Sequence, residues 1–177
     1  MKELNLLAIS GSLRKLSYNT HVITALKNMG QENIKITIGF INDLPLFNPD
    51  RENENIPALN RLKLALNKSD GLIIASPEYA HGISGPLKNA LDWLVSGVEF
   101  PDTPIMLINT SPRASHAQLA LREVLTTMSG NIIEAASVSI LLLGRELDAD
   151  GILANQDMRR LLEAGLKQFS NEIHAIR

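Results

Sequence analysis

The sequence contains no cysteine, and this absence removes several kinds of site. Without thiols the chain forms no disulfides, offers no thiolate nucleophile and has no ligands for an iron–sulfur cluster. The histidines do not compensate, because none of them has metal-ligand spacing: His21, His81, His116 and His174. The sequence therefore predicts no metal site.

Long apolar runs and clusters of basic residues are also missing. No stretch approaches the roughly 20 apolar residues that cross a bilayer. The apolar run near the N-terminus is short and interrupted by Asn5, unlike a signal peptide. The net charge is only −2, with Lys and Arg scattered, so no nucleic-acid or membrane partner is expected. We predict a cytoplasmic location.

The chain does contain a regular alternation of apolar strands and amphipathic helices. The predicted strands cover residues 4–10, 33–39, 71–75, 103–109 and 132–143. Helices are predicted from Ser17 or Asn19 to Met29, over 58–68, around Leu87–Leu94, around Leu121–Met128, and over 155–176. This pattern predicts one doubly wound α/β domain over residues 1–177, with helices on both faces of a five-stranded parallel sheet. The expected strand order is 2-1-3-4-5, with strand two at an edge because its apolar residues alternate with polar ones.

The loop after the first strand carries polar side chains suited to a phosphate. Gly11 is followed by Ser12, Arg14, Ser17 and Asn19, which is neither a dinucleotide fingerprint nor a P-loop. Hydroxyl, amide and guanidinium donors at a helix N-terminus nevertheless suit a mononucleotide phosphate. Taken alone, the loop fits a phosphate site and a capped polar turn equally well.

The loop after the third strand is built for close approach to a flat ligand. Gly82 and Gly85 permit sharp bends, and Pro86 suits a first helical turn. Ser84 lacks the spacing of a nucleophile elbow, so we do not assign it as a nucleophile.

These two loops together resemble the NADPH-dependent FMN reductase family. The pattern G-S-x-R-x-x-S-x-N matches at Gly11–Asn19, and P-E-Y-x-x-G followed by L-K-N-A-L-D-W matches from Pro77 to Trp93. The resemblance implies a flavodoxin-like fold, bound FMN, and NADPH or NADH as co-substrate. It implies these cofactor-binding residues: Ser10, Ser12, Arg14, Ser17, Asn19, Pro77, Glu78, Tyr79, Gly82 and Ser111. The absence of cysteine excludes the iron–sulfur branch of such flavoproteins.

The loop after the fourth strand departs from the family pattern. Relatives carry a glycine-rich S-P-G-x-x-G-G run, whereas here Ser111 keeps its place and Arg113 and His116 replace glycine. These two residues are predicted to bind substrate, either by meeting a phosphate of the nicotinamide donor or by narrowing the entrance. Glu78 receives no acid–base role, and we predict no catalytic residue.

The implied function is an oxidoreductase that passes hydride from NAD(P)H to FMN and electrons on to a flavin, quinone or azo-type acceptor. Since the flavin carries the difficult chemistry, no catalytic acid or base is required. The alternatives are a non-enzymatic electron carrier like flavodoxin and a flavin-free interaction module. We expect a homodimer or homotetramer, with contacts through the Leu87–Leu94 helix and the Leu44–Pro49 loop. The acceptor and the NADPH or NADH preference stay open.

Overall fold

A parallel sheet runs through the centre of the computed structural model, which describes residues 3–142 and 144–177. The strands of this sheet are β1 (Leu4–Ser10), β2 (Ile34–Gly39), β3 (Gly71–Ala75), β6 (Pro104–Asn109), β7 (Asn131–Ile132) and β8 (Val138–Ser139). A separate two-stranded hairpin is formed by β4 (Glu78–Tyr79) and β5 (Gly82–Ile83). The helices are α1 (Tyr18–Met29), α2 (Pro57–Asn67), α3 (Gly85–Leu94), α4 (Ser115–Thr127), α5 (Ala149–Ala154) and α6 (Gln156–Ile176).

The sheet has the strand order that the sequence predicts. The order is β2-β1-β3-β6-β7, and β8 pairs with the other end of β6. All of these pairings are parallel. β2 lies at the edge, as its alternating pattern predicts. The order reverses between β1 and β3, so their carboxyl ends border the crevice where open α/β sheets bind ligands.

Helices cover both faces of the sheet, as predicted. Alternate strand residues point to opposite faces, so Ala8 and Ile73 pack into one core with α1 and α6. Leu7 and Leu72 pack into the other core with α3 and α4. Burial on both sides explains the unbroken apolar sequence of β3.

The predicted fifth strand over 132–143 is wrong as a continuous element, and its final residue, Leu143, lies outside the described residues. β7 pairs with the start of β6 and β8 with its end. Between them residues 134–136 form a 3₁₀ turn. There the Leu107 N–H donates to the hydroxyl of Ser137 at 3.2 Å, and Arg122 pairs with Glu134. In the middle of β6, a bond to the Ser137 side chain thus takes the place of a backbone hydrogen bond between strands, and the ion pair joins the turn to α4.

The apolar face of α3 packs inside the chain, so it is not exposed for the predicted subunit contact. Leu87, Leu91 and Leu94 are all buried within the chain's own core. Another face of α3 holds the long loop that follows β2. The Pro45 carbonyl accepts hydrogen bonds from Asn89 at 2.9 Å and from the Trp93 indole at 2.8 Å. These two motif residues therefore anchor a loop.

The sequence analysis predicts neither the β4–β5 hairpin nor the short helix α5. The β4–β5 hairpin turns through Ala80 and His81, which both have positive φ, whereas glycine and asparagine are the usual signal for such a turn. α5 is a six-residue helix capped by Asp148, whose carboxylate accepts from the Gly151 N–H at 2.8 Å. Within residues 3–142 and 144–177, no helix is long and apolar enough to cross a membrane.

Candidate active site

A cavity of about 940 Å³ opens at the carboxyl ends of β1, β3 and β6. Three loops that the sequence singles out meet there, together with a fourth segment near the C-terminal helices. The wall is formed by Ser12, Arg14, Leu16, Ser17, Tyr18, Asn19, His21, Ser76, Pro77, Glu78, Tyr79, Thr110, Ser111, Arg113, Ala114, Glu146, Leu147 and Asp148. The strand order accounts for the meeting of the three loops, because β1, β3 and β6 are successive neighbours in the sheet.

The first loop brings its polar side chains to the N-terminus of α1. Ser12 and Asn19 are buried in the cavity wall, and Arg14 is exposed beside them. Ser17 occupies the N-cap position of α1 but makes no capping hydrogen bond with its side chain. The first turn of a helix presents free N–H groups and a positive potential. This end of the cavity is therefore suited to an anion.

Ser10 belongs to the support of this loop and does not line the cavity. Its hydroxyl shares a hydrogen bond with Thr20 at 2.9 Å and accepts from the Ser12 N–H at 3.2 Å. These bonds hold the loop against the first turn of α1. Its side chain is bonded to the first turn of α1, and a contact between Ser10 and the cofactor stays a prediction.

The second loop is joined to the first by a buried hydroxyl. Ser84 is fully buried, donates to the Gly11 carbonyl at 2.5 Å and accepts from the Leu87 N–H at 3.4 Å. The same hydroxyl thus caps α3 and fixes the start of the first loop, at Gly11. A side chain on Gly11 would lie 3.1 Å from Leu87 and from Ser76. Glycine at this position permits the two loops to pack closely.

Pro77, Glu78 and Tyr79 form the part of the cavity wall that follows β3. Tyr79 is half exposed. The Glu78 carboxylate accepts from the Ala117 N–H at 2.8 Å, in the first turn of α4. Glu78 therefore ties the second loop to the third, a role that sequence reasoning did not assign to it.

Gly82 and His116 do not reach the cavity wall. Gly82 pairs with Tyr79 in the β4–β5 hairpin. The ring of His116 stacks on that of His81, with centroids 4.3 Å apart and planes inclined by 12°. This contact holds the hairpin against α4, so His116 lies beside the site as a packing residue. Arg113 lines the cavity and His116 does not; the substrate-binding role of both residues stays a prediction.

Sequence reasoning missed several cavity residues. Residues 146–148 come from a segment with no motif, and they reach the site because the His21 ring hydrogen-bonds to the Leu147 carbonyl at 3.0 Å. Thr110 is not among the predicted site residues, although it lines the cavity. Its hydroxyl donates to the Asn19 side-chain oxygen at 3.1 Å. Its position directly after an apolar strand was the available signal.

The residues present fit FMN. Hydroxyl, amide and guanidinium groups gather at one end of the cavity, at the N-terminus of α1, where a single phosphate finds donors. Apolar and aromatic groups, Pro77 and Tyr79, line the same cavity from the second loop and offer a wall for a flat ring. No glycine-rich turn for a pyrophosphate is present in the sequence of the first loop. The donor set therefore matches a mononucleotide.

Known proteins with similar sequences and structures point the same way. The family described as NADPH-dependent FMN reductase matches residues 4–141. The NAD(P)H-dependent FMN reductase PA1204 of Pseudomonas aeruginosa is 28% identical over 99% of this chain and 98% of its own length. The quinone reductase of Escherichia coli K12 is 31% identical over 75% of this chain and 74% of its own. Among solved structures, the flavoenzyme NAD(P)H:(acceptor) oxidoreductase FerB of Paracoccus denitrificans superposes with a TM-score of 0.86 at 25% identity, covering 97% of this chain and 98% of that one.

These matches cover from three quarters to nearly all of the chain, and they agree with the geometry of the cavity. The flavodoxin-like fold class, the enzyme class and the flavin and nicotinamide cofactors predicted from the two loop motifs are thereby confirmed. The chain belongs to the NADPH-dependent FMN reductase family and is an oxidoreductase that uses FMN together with NADPH or NADH.

Proposed function

We propose that this protein binds FMN in the 940 Å³ cavity and uses NAD(P)H to reduce a small acceptor, namely a free flavin, a quinone or an azo compound. The observation that carries the proposal is the pairing of the α1 donors with the Pro77–Tyr79 wall in one cavity. Bound FMN supplies the two-electron chemistry. The protein's own groups bind and orient the FMN and shield it from water. Family membership favours this enzyme over the alternative of an electron carrier.

In this proposal the phosphate end of FMN lies against the first turn of α1. Ser12, Ser17 and Asn19 donate hydrogen bonds, and Arg14 adds charge. Each charge-assisted bond to a phosphate contributes about 1.5–3 kcal/mol. Because Ser17 makes no capping bond with its own helix, its hydroxyl is available to a ligand. The anion also benefits from the helix dipole.

The ring end of FMN is assigned to the second and third loops. Pro77, Glu78 and Tyr79 provide main-chain groups and a flat surface, and Ser111 borders the same space. The Glu78–Ala117 bond and the His81–His116 stack keep these two loops together. Gly82, behind Tyr79 in the hairpin, supports the wall.

Arg113 is proposed as the cation that meets a phosphate of the nicotinamide donor. It is exposed on the cavity wall, and its N–H donates to the Ser111 hydroxyl at 3.2 Å, which fixes the backbone. Arg14 and Arg113 therefore form a matched pair of cavity arginines with different assigned ligands.

Replacing each arginine by alanine tests this division. Arg14→Ala is expected to weaken FMN binding by about 1.5–3 kcal/mol, the value of a charge-assisted hydrogen bond. Arg113→Ala is expected to leave FMN binding unchanged and to raise the KM for NADPH more than it lowers kcat, since uniform binding is lost. Flavin fluorescence titration and steady-state kinetics measure the two quantities. Equal effects of both variants on FMN affinity would contradict the assignment.

We propose that two copies of the chain associate through the loop that α3 holds. Leu46 in this loop is 83% exposed, and Val98, four residues beyond the end of α3, is 90% exposed. Contiguous exposed apolar patches mark protein interaction sites, and we propose that these two side chains belong to one such patch. Sedimentation of the wild type and of Leu46→Lys tests it: the wild type is expected above the 19.4 kDa of one chain, as a dimer or tetramer, and the variant nearer to it. A wild type at the monomer mass refutes the proposal.

We further propose that residues 1–177 form one FMN-binding domain that acts in the cytoplasm. The cavity draws residues from both halves of the chain, from Ser12 to Asp148, which supports a single unit. A cytoplasmic site is supported by the need for reduced nicotinamide cofactor. Cell fractionation with an antibody to the protein tests the location.

A further inference from the structure

A buried hydrogen bond crosses the floor of the cavity between α1 and β6. The Thr110 hydroxyl, directly after β6, donates to the side-chain oxygen of Asn19, in the first turn of α1, at 3.1 Å. Both residues line the cavity, and they are only 4% and 5% exposed. The bond joins two segments 91 residues apart in sequence. A bond formed in such a low-dielectric setting is electrostatically stronger than the same bond in water.

In the structure this bond joins the Asn19 oxygen to Thr110, so the NH₂ group is the end of the amide that is left for a ligand. An asparagine side chain has one accepting oxygen and one donating nitrogen, and the two orientations have nearly the same shape. With the oxygen held by Thr110, the NH₂ group is the end left to face the cavity. The opposite orientation presents a carbonyl oxygen, which repels a phosphate. An anion site requires the first orientation.

Thr110 is well placed to hold the amide rigidly. Its carbonyl accepts from the Leu142 N–H at 3.2 Å, so its backbone is fixed from the other side. As a β-branched residue it has a restricted χ1 angle, which limits the directions that its hydroxyl can take. The position of the hydroxyl oxygen is thus set mainly by the backbone at the end of β6, and Asn19 lies within reach of it.

We propose that Thr110 is a positioning residue for the phosphate end of the flavin site, acting through the amide of Asn19. The inference rests on the proposed binding of FMN in this cavity. It assigns to Thr110 a role in distinguishing the phosphorylated flavin from riboflavin, because riboflavin lacks the group that Asn19 meets. A threonine that only packs the core contributes equally to the binding of both flavins.

Fluorescence titration of the flavin-free protein with FMN and with riboflavin tests the proposal. Thr110→Val keeps the shape and removes the donor. We expect its Kd for FMN to rise about tenfold, which corresponds to about 1.4 kcal/mol, while its Kd for riboflavin stays within about twofold. Thr110→Ser keeps the hydroxyl and should restore most of the FMN affinity. In an Asn19→Ala background, Thr110→Val should have less than about a twofold effect, since its partner is gone.

Several results would overturn the inference. Equal loss of affinity for FMN and riboflavin would assign Thr110 to packing, and so would an undiminished effect of Thr110→Val in the Asn19→Ala background. Thr110→Ala, measured in parallel and checked by circular dichroism, guards against a folding defect in the valine variant. If both variants unfold, Thr110 is structural and the proposal fails. A wild-type protein that binds neither flavin contradicts the proposed function itself, whereas tight FMN binding that Thr110→Val leaves unchanged contradicts the inference alone.

Discussion

Replacing Ser84 by alanine should destabilise the protein more than any exposed serine substitution. The hydroxyl of this fully buried residue serves two partners, the Gly11 carbonyl and the Leu87 N–H. Losing an N-cap costs about 1 kcal/mol. Leaving a buried carbonyl without its donor costs about 1–3 kcal/mol more. We therefore expect Ser84→Ala to lower the free energy of unfolding by about 2–4 kcal/mol.

Urea denaturation of the flavin-free protein, followed by far-UV circular dichroism, measures this change. Ser115→Ala is the matched control, because Ser115 is exposed at the start of α4, and substitutions of this kind usually stay within about 0.5 kcal/mol. The slope of the transition should not change, since the surface exposed on unfolding is the same. A loss below about 0.5 kcal/mol for Ser84→Ala would show that the bridge between the two loops does not stabilise the fold.

Two further substitutions test the packing and the electrostatics around the broken fifth strand. Gly165→Ala should lower the midpoint of thermal unfolding, because the new Cβ would collide with Val138 and lie 3.0 Å from Met106, and overpacking costs about 1–3 kcal/mol. Gly85→Ala is the control, because a Cβ at Gly85 meets nothing within 4 Å. Equal midpoints for the two variants would contradict the close packing of α6. The hydrogen bond from Arg122 holds the pKa of the Glu134 carboxyl below its ordinary value. Its stabilising effect is therefore present above the ordinary pKa of a glutamate and is lost as the pH falls through the lowered, folded-state pKa. Because Glu134 is largely exposed, Glu134→Gln should cost no more than about 0.5 kcal/mol at neutral pH, and in urea titrations the difference should vanish in acid; a difference that persists there would refute the ion pair as its cause.

Most of the fold follows from the sequence because its strands are buried on both faces. β3 is a continuous apolar run of strand length, and β1 is one apart from the exposed Asn5 and the terminal Ser10, so composition and length identify both. The prediction of a continuous fifth strand was wrong for a physical reason that periodicity cannot reveal. Its middle is replaced by a turn whose stability depends on Ser137 and Arg122, and these contacts are long-range.

The site was predictable where a loop motif carries it and unpredictable where tertiary contacts create it. Arg14 and Tyr79 lie in motifs and line the cavity as expected. Leu147 reaches the wall through tertiary contacts, namely a bond to His21, 126 residues earlier, and packing against the core around α1 and α6. Likewise, Glu78 was recognised as a motif residue, but its bond to α4 depends on how two loops pack. Sequence patterns therefore located the cavity and left part of its wall to the structure.

Anaerobic reduction of the bound flavin tests the central claim most directly. The protein is reconstituted with FMN, freed of oxygen and mixed with NADPH or NADH while the flavin absorbance is followed. We predict bleaching fast enough to support turnover at about 1–1,000 per second, and FMN rather than FAD should be recovered after denaturation. Bound flavin that neither cofactor bleaches within minutes, but that a separate reductase does, would contradict the account and identify an electron carrier.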